Sequence, residues 1–315
     1  MEILLLAIVS ITAPIFLLIA IGYAAVRWRM LPHEAIPGLG HFVLYFAMPG
    51  LILSTLSSMD IEEIIEPGFM LAYGLGTLLV MGLGLLLTRK VLGNDPVIAS
   101  LKAMGMSMPN TPYFGFPVLL QVVESSAGKA FSIALLVETL LIIPLSMTLL
   151  QFHASRSTGL SLGRVLLKLP KQILRNPLVI AIATGLLIST LDITLPQAVN
   201  TTLKMLGQSS ATIALFIIGA SLVGSPLKGK LVGITPVLLG KLLVHPLLVA
   251  LLIWLLPPFD PELQLAAILL AAMPMMSIYP IFGSQYGHRN FTASALMLTT
   301  VTAFFTISAL LLFLR

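Results

Sequence analysis

Apolar runs recur along this chain with short polar stretches between them, and most are close to the ~20 residues that a helix needs to cross a bilayer. Ten can be marked, at roughly 3–26, 36–56, 67–88, 97–123, 129–152, 176–194, 203–224, 231–256, 262–286 and 290–314. The longest connection, roughly 153–175, is too short for a soluble domain. The pattern predicts an all-α membrane protein of ten transmembrane helices. Composition agrees: hydrophobic residues make up 58% of the chain and charged residues 9%, against about 25% charged in an ordinary soluble domain. The first run has no basic flank and no small-residue cleavage site, and it exceeds a signal-peptide core, so it is expected to be retained.

Two of the runs are interrupted. Met108-Pro109-Asn110-Thr111-Pro112-Tyr113-Phe114-Gly115-Phe116-Pro117 holds three prolines and a glycine. Each proline removes a backbone donor and clashes with the carbonyl four residues back. A second interruption, from Met273 to Gly283, carries Pro274 and Pro280. Non-helical backbone at membrane depth is tolerated only inside protein or along a cavity. The pair predicts two broken helices, the fourth and the ninth, of the kind found in transporters.

Charge sorts by loop. Arg27, Arg29, Arg89, Lys90, Arg156, Arg164, Lys168, Lys171, Arg175, Lys228, Lys230 and Arg289 fall in odd-numbered loops, twelve of the seventeen basic residues. The second loop is acidic, with Asp60, Glu62, Glu63 and Glu66. The rule that basic loops stay cytoplasmic places the odd loops inside and both termini outside. The net charge of +5 is therefore loop charge, and nucleic acid is not implied. In the fifth loop, Arg164, Lys168, Lys171 and Arg175 recur at helical spacing among leucines. That pattern suits a basic amphipathic helix on anionic membrane lipid, or a connector held by charge alone.

The halves resemble each other. Pro14 leads through Ile19-Ala20-Ile21 to Leu31-Pro32, and Pro177 through Ile180-Ala181-Ile182 to Leu195-Pro196. Asp95-Pro96 opens the fourth span and Asp260-Pro261 the ninth, and fourteen residues on from each Asp stand Pro109 and Pro274. The expected organisation is a first five-span unit over 1–152, a basic connector over 153–175 and a second unit over 176–315. Five is odd, so the second unit is inverted relative to the first, and substrate belongs near the midplane where the broken helices meet.

The run from Pro109 to Pro117 resembles the fourth-span signature of the auxin efflux carrier family. Lys241-Leu242-Leu243-Val244-His245-Pro246 and Ala272-Met273-Pro274 are similar to its eighth- and ninth-span patterns. The resemblance covers nearly the whole chain, with the short central loop of prokaryotic members. It implies a carrier with a scaffold part and a transport part, whose fourth and ninth spans cross at Pro109 and Pro274, with Asn110 beside the first crossover. It also implies an organic anion as substrate, such as a malonate- or malate-like mono- or dicarboxylate. Where some members have asparagine near the second crossover, this chain has Met275, Met276 and Ser277.

Candidate chemistry centres on the crossover. Asn110 can bind substrate or satisfy backbone freed by the prolines, with Ser107, Thr111, Tyr113, Ser277 and Tyr279 as further hydroxyls and Pro109, Pro112, Pro117, Pro274 and Pro280 shaping the break. Lys241 and His245 share one face of the eighth span. A lysine there needs a partner, either a substrate carboxylate or the negative C-terminal end of a half-helix. Glu138 is the one carboxylate expected deep in a span and could carry a proton or pair with a cation. Lys102 can snorkel toward the cytoplasm. Gly74, Gly76, Gly82 and Gly84 read as packing positions, and no nucleotide motif is present. The five histidines lack ligand spacing and cysteine is absent, so no metal or other cofactor is expected. The sequence thus predicts a secondary carrier of a small organic anion in the cytoplasmic membrane, with a homodimer among the expected partners. Its rivals are a sodium- or proton-coupled carrier using Glu138 and a non-transporting sensor or intramembrane enzyme.

Overall fold

The computed structural model describes residues 2–58, 66–158, 174–224 and 231–314. Within them all regular structure is helical, apart from one isolated antiparallel bridge between backbones. In chain order the helices are α1 (Glu2–Arg27), α2 (His33–Leu56), α3 (Pro67–Val91), α4 (Pro96–Ser107), α5 (Phe116–Val122) and α6 (Ala127–Ala154). They continue with α7 (Pro177–Thr190), α8 (Gln197–Leu222), α9 (Gly233–Leu255), α10 (Pro261–Ala272), α11 (Tyr279–Gln285) and α12 (Arg289–Leu314). Among the described residues, six helices are long and apolar enough to cross a membrane: α2, α3, α6, α8, α9 and α12. The basic connector around Arg164, Lys168 and Lys171 lies outside the described residues, as do Asp60, Glu62, Glu63, Lys228 and Lys230.

The fourth and ninth apolar runs are broken. Asp95 caps α4 by accepting from the Val97 N–H at 2.9 Å, and Asp260 caps α10 by accepting from Glu262 and Leu263 N–H groups at 2.8 and 3.1 Å. Each Asp is followed by proline at the first helical position, where a missing N–H costs nothing. Both helices stop halfway, at Ser107 and Ala272, and resume as α5 and α11. Only Pro109 and Pro274 sit in the extended gaps. Pro112, Pro117 and Pro280 stand instead in the opening turns of the resumed segments.

Prolines widen other helices without breaking them. π-helical turns occur at Val43–Ala47, Thr111–Gly115, Glu138–Ile142 and Gly240–Val244. Each is followed two residues later by a proline, respectively Pro49, Pro117, Pro144 and Pro246. Such a proline cannot donate to the carbonyl four residues back, and its ring pushes that carbonyl aside. The orphaned carbonyl lies inside the widened turn in every case: Tyr45, Tyr113, Leu140 and Leu242. A fifth π turn, Leu87–Val91, has no following proline.

Packing sorts the helices into two groups. Helix α8 packs on α1 and α2, and α7 on α2. Cβ atoms at Gly22 and Gly219 would run into the carbonyl oxygens of Phe216 and Ile19, so α1 and α8 cross in backbone contact. In the other group α3 packs on α9 and α4, α10 on α9, α4 on α6, and α11 on α12. Glycines at 74, 76 and 84 are close-packed as expected, whereas a Cβ at Gly82 would meet nothing within 4 Å.

Candidate functional site

The two gaps meet. Pro109 and Met275 form the antiparallel bridge, with the Asn110 N–H donating to the Pro274 carbonyl at 2.8 Å and the Met276 N–H to the Met108 carbonyl at 3.0 Å. Backbone groups in the two gaps, left out of the helices, are thus paired with the opposite strand, as burial requires. Past the crossing, the Asn110 carbonyl accepts from the Phe114 and Gly115 N–H groups, both at 2.9 Å, which restarts the helix.

The Asn110 side chain takes no part in that repair. It is 2% exposed, and its Nδ2 donates to Ser277 Oγ at 2.7 Å. Its Oδ1 is buried without a partner. Which amide atom is oxygen rests on hydrogen bonding alone, and the alternative orientation lets Oδ1 accept from the Ser277 hydroxyl and leaves the NH₂ group bare. In either orientation one heteroatom of this amide has no partner among the described residues.

Ser277 and Tyr113 line a cavity of about 1190 Å³ whose lining also includes Arg29, His33, Glu34 and Arg289. Arg29, His33 and Glu34 follow α1, Gly224 follows α8, and Arg289 opens α12. Loops one, seven and nine therefore share one face, and the cavity joins that face to the crossing. Arg29, two residues past the end of α1, adopts the left-handed backbone region, at φ 59°. The Tyr113 hydroxyl donates to the Gly40 carbonyl at 3.3 Å, tying the restarted helix to α2.

Behind the crossing lies a buried polar network. Glu138 Oε1 accepts from the hydroxyls of Thr111 and Tyr73, both at 2.5 Å. Lys241 Nζ donates to the Ala271 carbonyl in the last turn of α10 at 2.7 Å and contacts His245 Nδ1 at 2.9 Å. His245 Nε2 meets Thr77 Oγ1 at 2.9 Å, and that hydroxyl donates to the Tyr73 carbonyl at 2.7 Å. An ammonium only donates, which makes His245 Nδ1 an acceptor and leaves Nε2–H to donate to Thr77. The directions agree along the whole chain.

Thr111, Glu138 and Lys241 all stand on proline-widened turns. Tyr73 and Thr77 are absent from the sequence candidates. The signal that could have found them is their i, i+4 spacing on the third span. Among the other candidates, Tyr279 donates to the Leu101 carbonyl at 2.9 Å and Ser107 to the Met104 carbonyl at 3.3 Å, both away from the orphan amide. Lys102 reaches back along α4 to the loop before it, where it donates to Asn94 Oδ1 at 3.0 Å, and it lies 5.6 Å over the Phe291 ring. Among the described residues no group of three or more His, Asp or Glu side chains could hold a metal ion.

A crossing of two broken apolar helices, with an amide at its centre, is transporter architecture, and comparison with known sequences agrees. The profile of the membrane transport protein family matches residues 7–312. The chain belongs to that family. This is the auxin efflux carrier family to which the proline-rich run points. Within it, the chain is 27% identical over 98% of its length to a protein of Rhizobium meliloti (strain 1021) named "Putative malonate transporter", covering 96% of that protein. It is also 24% identical over 86% of its length to the mouse (Mus musculus) "Lysosomal cholesterol signaling protein", of which it spans 33%. Members of the membrane transport protein family move solutes across membranes, and with its apolar helices this chain is a membrane protein.

Proposed function

We propose that the protein is a secondary carrier of a small carboxylate anion, working by alternating access in the cytoplasmic membrane of a prokaryote. Its ten apolar segments are two inverted five-span units with both termini outside. In support, the packing pairs match under exchange of the halves: α1 with α8 answers α7 with α2, α3 with α4 answers α9 with α10, and α4 with α6 answers α10 with α12. The first group of helices, α1, α2, α7 and α8, is the scaffold part, and the second is the transport part.

The observation that carries the reading is Asn110: buried, half-paired through Ser277, and next to a cavity flanked by Arg29 and Arg289. A carboxylate reaching the crossing accepts from the amide once the amide turns over onto the Ser277 hydroxyl. The arginines raise the local anion concentration on the way. With its cavity open on the face of the basic loops, the conformation is inward-facing. The Rhizobium relative's name makes malonate the first solute to try. The test is exchange of labelled malonate in proteoliposomes. Flux that disappears in Asn110→Ala supports the reading, and the absence of flux for every small mono- and dicarboxylate overturns it.

A coupled carrier is favoured by a separate contact. Thr111 is part of the crossing and donates straight to Glu138, so a change of charge on Glu138 is felt where substrate binds. Under imposed proton and sodium gradients, Glu138→Gln should keep substrate binding and lose gradient-driven accumulation. Accumulation that persists in this variant removes Glu138 from the coupling.

A further inference from the structure

Away from the crossing, the transport part carries an open apolar groove of about 880 Å³ between α3, α4 and α9. Leu83, Leu87 and Val91 form one wall, Pro236 and Leu239 the other, and Met106 the floor. The groove exists because small residues flank Met106: Cβ atoms at Gly84 and Gly240 would lie 2.6 and 2.7 Å from its side chain. Both walls belong to helices long and apolar enough to cross a membrane, so the groove opens into hydrocarbon. Leu83, Leu87, Val91 and Leu239 are exposed.

The rim has a different chemistry. The wall formed by α3 ends in the π turn Leu87–Val91, which contains Arg89 and Lys90 between two groove-lining residues. Both are exposed, and Lys90 stands one turn beyond Leu86 and Leu87. Arg89 lies two residues on from Leu87, off its face, and its guanidinium contacts His153 Nε2 at 3.2 Å on α6, which does not line the groove. A hydrocarbon slot that ends in a cation at the membrane surface matches one kind of molecule: an acyl chain below and a negatively charged phosphate above.

We propose that this groove is a binding site for an anionic phospholipid, with one acyl chain over Met106 and the headgroup phosphate on Lys90. Met106 lies three residues before Pro109, and Gly240 directly precedes Lys241. The bound lipid therefore lines the outer side of the two segments that hold the crossing. The inference needs only the membrane location and stands independently of which solute is carried.

The test uses the full chain in vesicles, with both native tryptophans (Trp28 and Trp254) replaced by phenylalanine and a reporter introduced as Leu239→Trp. Fluorescence quenching by brominated phosphatidylglycerol is compared with that by brominated phosphatidylcholine. The expected result is a preference for the anionic lipid of roughly fivefold, the weight of one surface lysine against anionic lipid. It should fall to near one in Lys90→Gln and return in Lys90→Arg. Equal quenching by the two lipids overturns the proposal, as does a preference untouched by Lys90→Gln. Stronger quenching by a brominated free fatty acid or a brominated sterol than by phosphatidylglycerol also overturns it, by naming another occupant.

Discussion

A buried amide with one heteroatom unpartnered costs about 1–3 kcal/mol, and Asn110 is held in that condition by the backbone on either side of it. Removing the amide should not weaken the fold as removing a satisfied group would. Asn110→Ala is expected to keep its thermal transition within a few degrees of the parent while losing about tenfold or more in malonate affinity, read by thermal shift against ligand concentration. Asn110→Asp should bind worse still, because it sets a carboxylate against an anion. Tyr73 behaves in the opposite way, since its hydroxyl is fully used by Glu138. Tyr73→Phe strips a buried carboxylate of a donor and should cost about 1–3 kcal/mol of stability, seen as a lowered thermal transition with or without ligand. Arg29 is a third case. Its left-handed backbone suits glycine better than arginine, so Arg29→Gly should leave the fold intact or firmer while raising the KM for anion uptake from the cavity side, most clearly at low salt.

At the scale of elements, much was legible because proline chemistry is local. Three prolines in ten residues announce the fourth-span break, and the Asp-Pro offsets place its counterpart at Pro274. The widened turns at Glu138–Ile142 and Gly240–Val244 follow from the same chemistry at Pro144 and Pro246, although neither proline interrupts a run enough to attract notice. Tyr73 and Thr77 were not legible. A lone hydroxyl in an apolar helix usually bonds its own backbone, as Thr77 also does, and only the approach of α6 and α9 brings Glu138 and His245 to them. The orphan atom of Asn110 was equally hidden, because the sequence cannot say that the opposite strand already satisfies the freed backbone. Pro246→Ala tests the account of the turns. Restoring a donor to the Leu242 carbonyl should close the π turn to α and rotate Lys241 by about one residue, near 100°. Slower amide exchange over 240–246 together with at least tenfold slower transport is expected. Unchanged exchange there would mean that packing, not proline, widens the turn.

For the molecule as a whole, the conformation open toward the basic loops can be trapped. The chain has no cysteine, so pairs can be introduced cleanly. His33→Cys with Asn290→Cys puts one thiol on each side of the cavity, and a bifunctional thiol reagent of matching length should stop exchange without unfolding the protein. Restored flux after cleavage of the linker is the check. On the opposite side of the crossing, Ser125 and Ser126 donate to Glu262 at 2.7 and 2.6 Å, fastening the segment after α5 to the start of α10. Glu262→Ala loosens that clasp and should increase labelling of cysteines placed beside it.

The paired strands at Met108–Asn110 and Pro274–Met276 act as a rivet. Two peptide bonds' worth of hydrogen bonding, out of reach of water, forbids either half-helix pair from swinging while the other stays put. In the proposed carrier a stroke therefore lifts both together, cargo included, and its sliding seam lies elsewhere, where side chains alone touch.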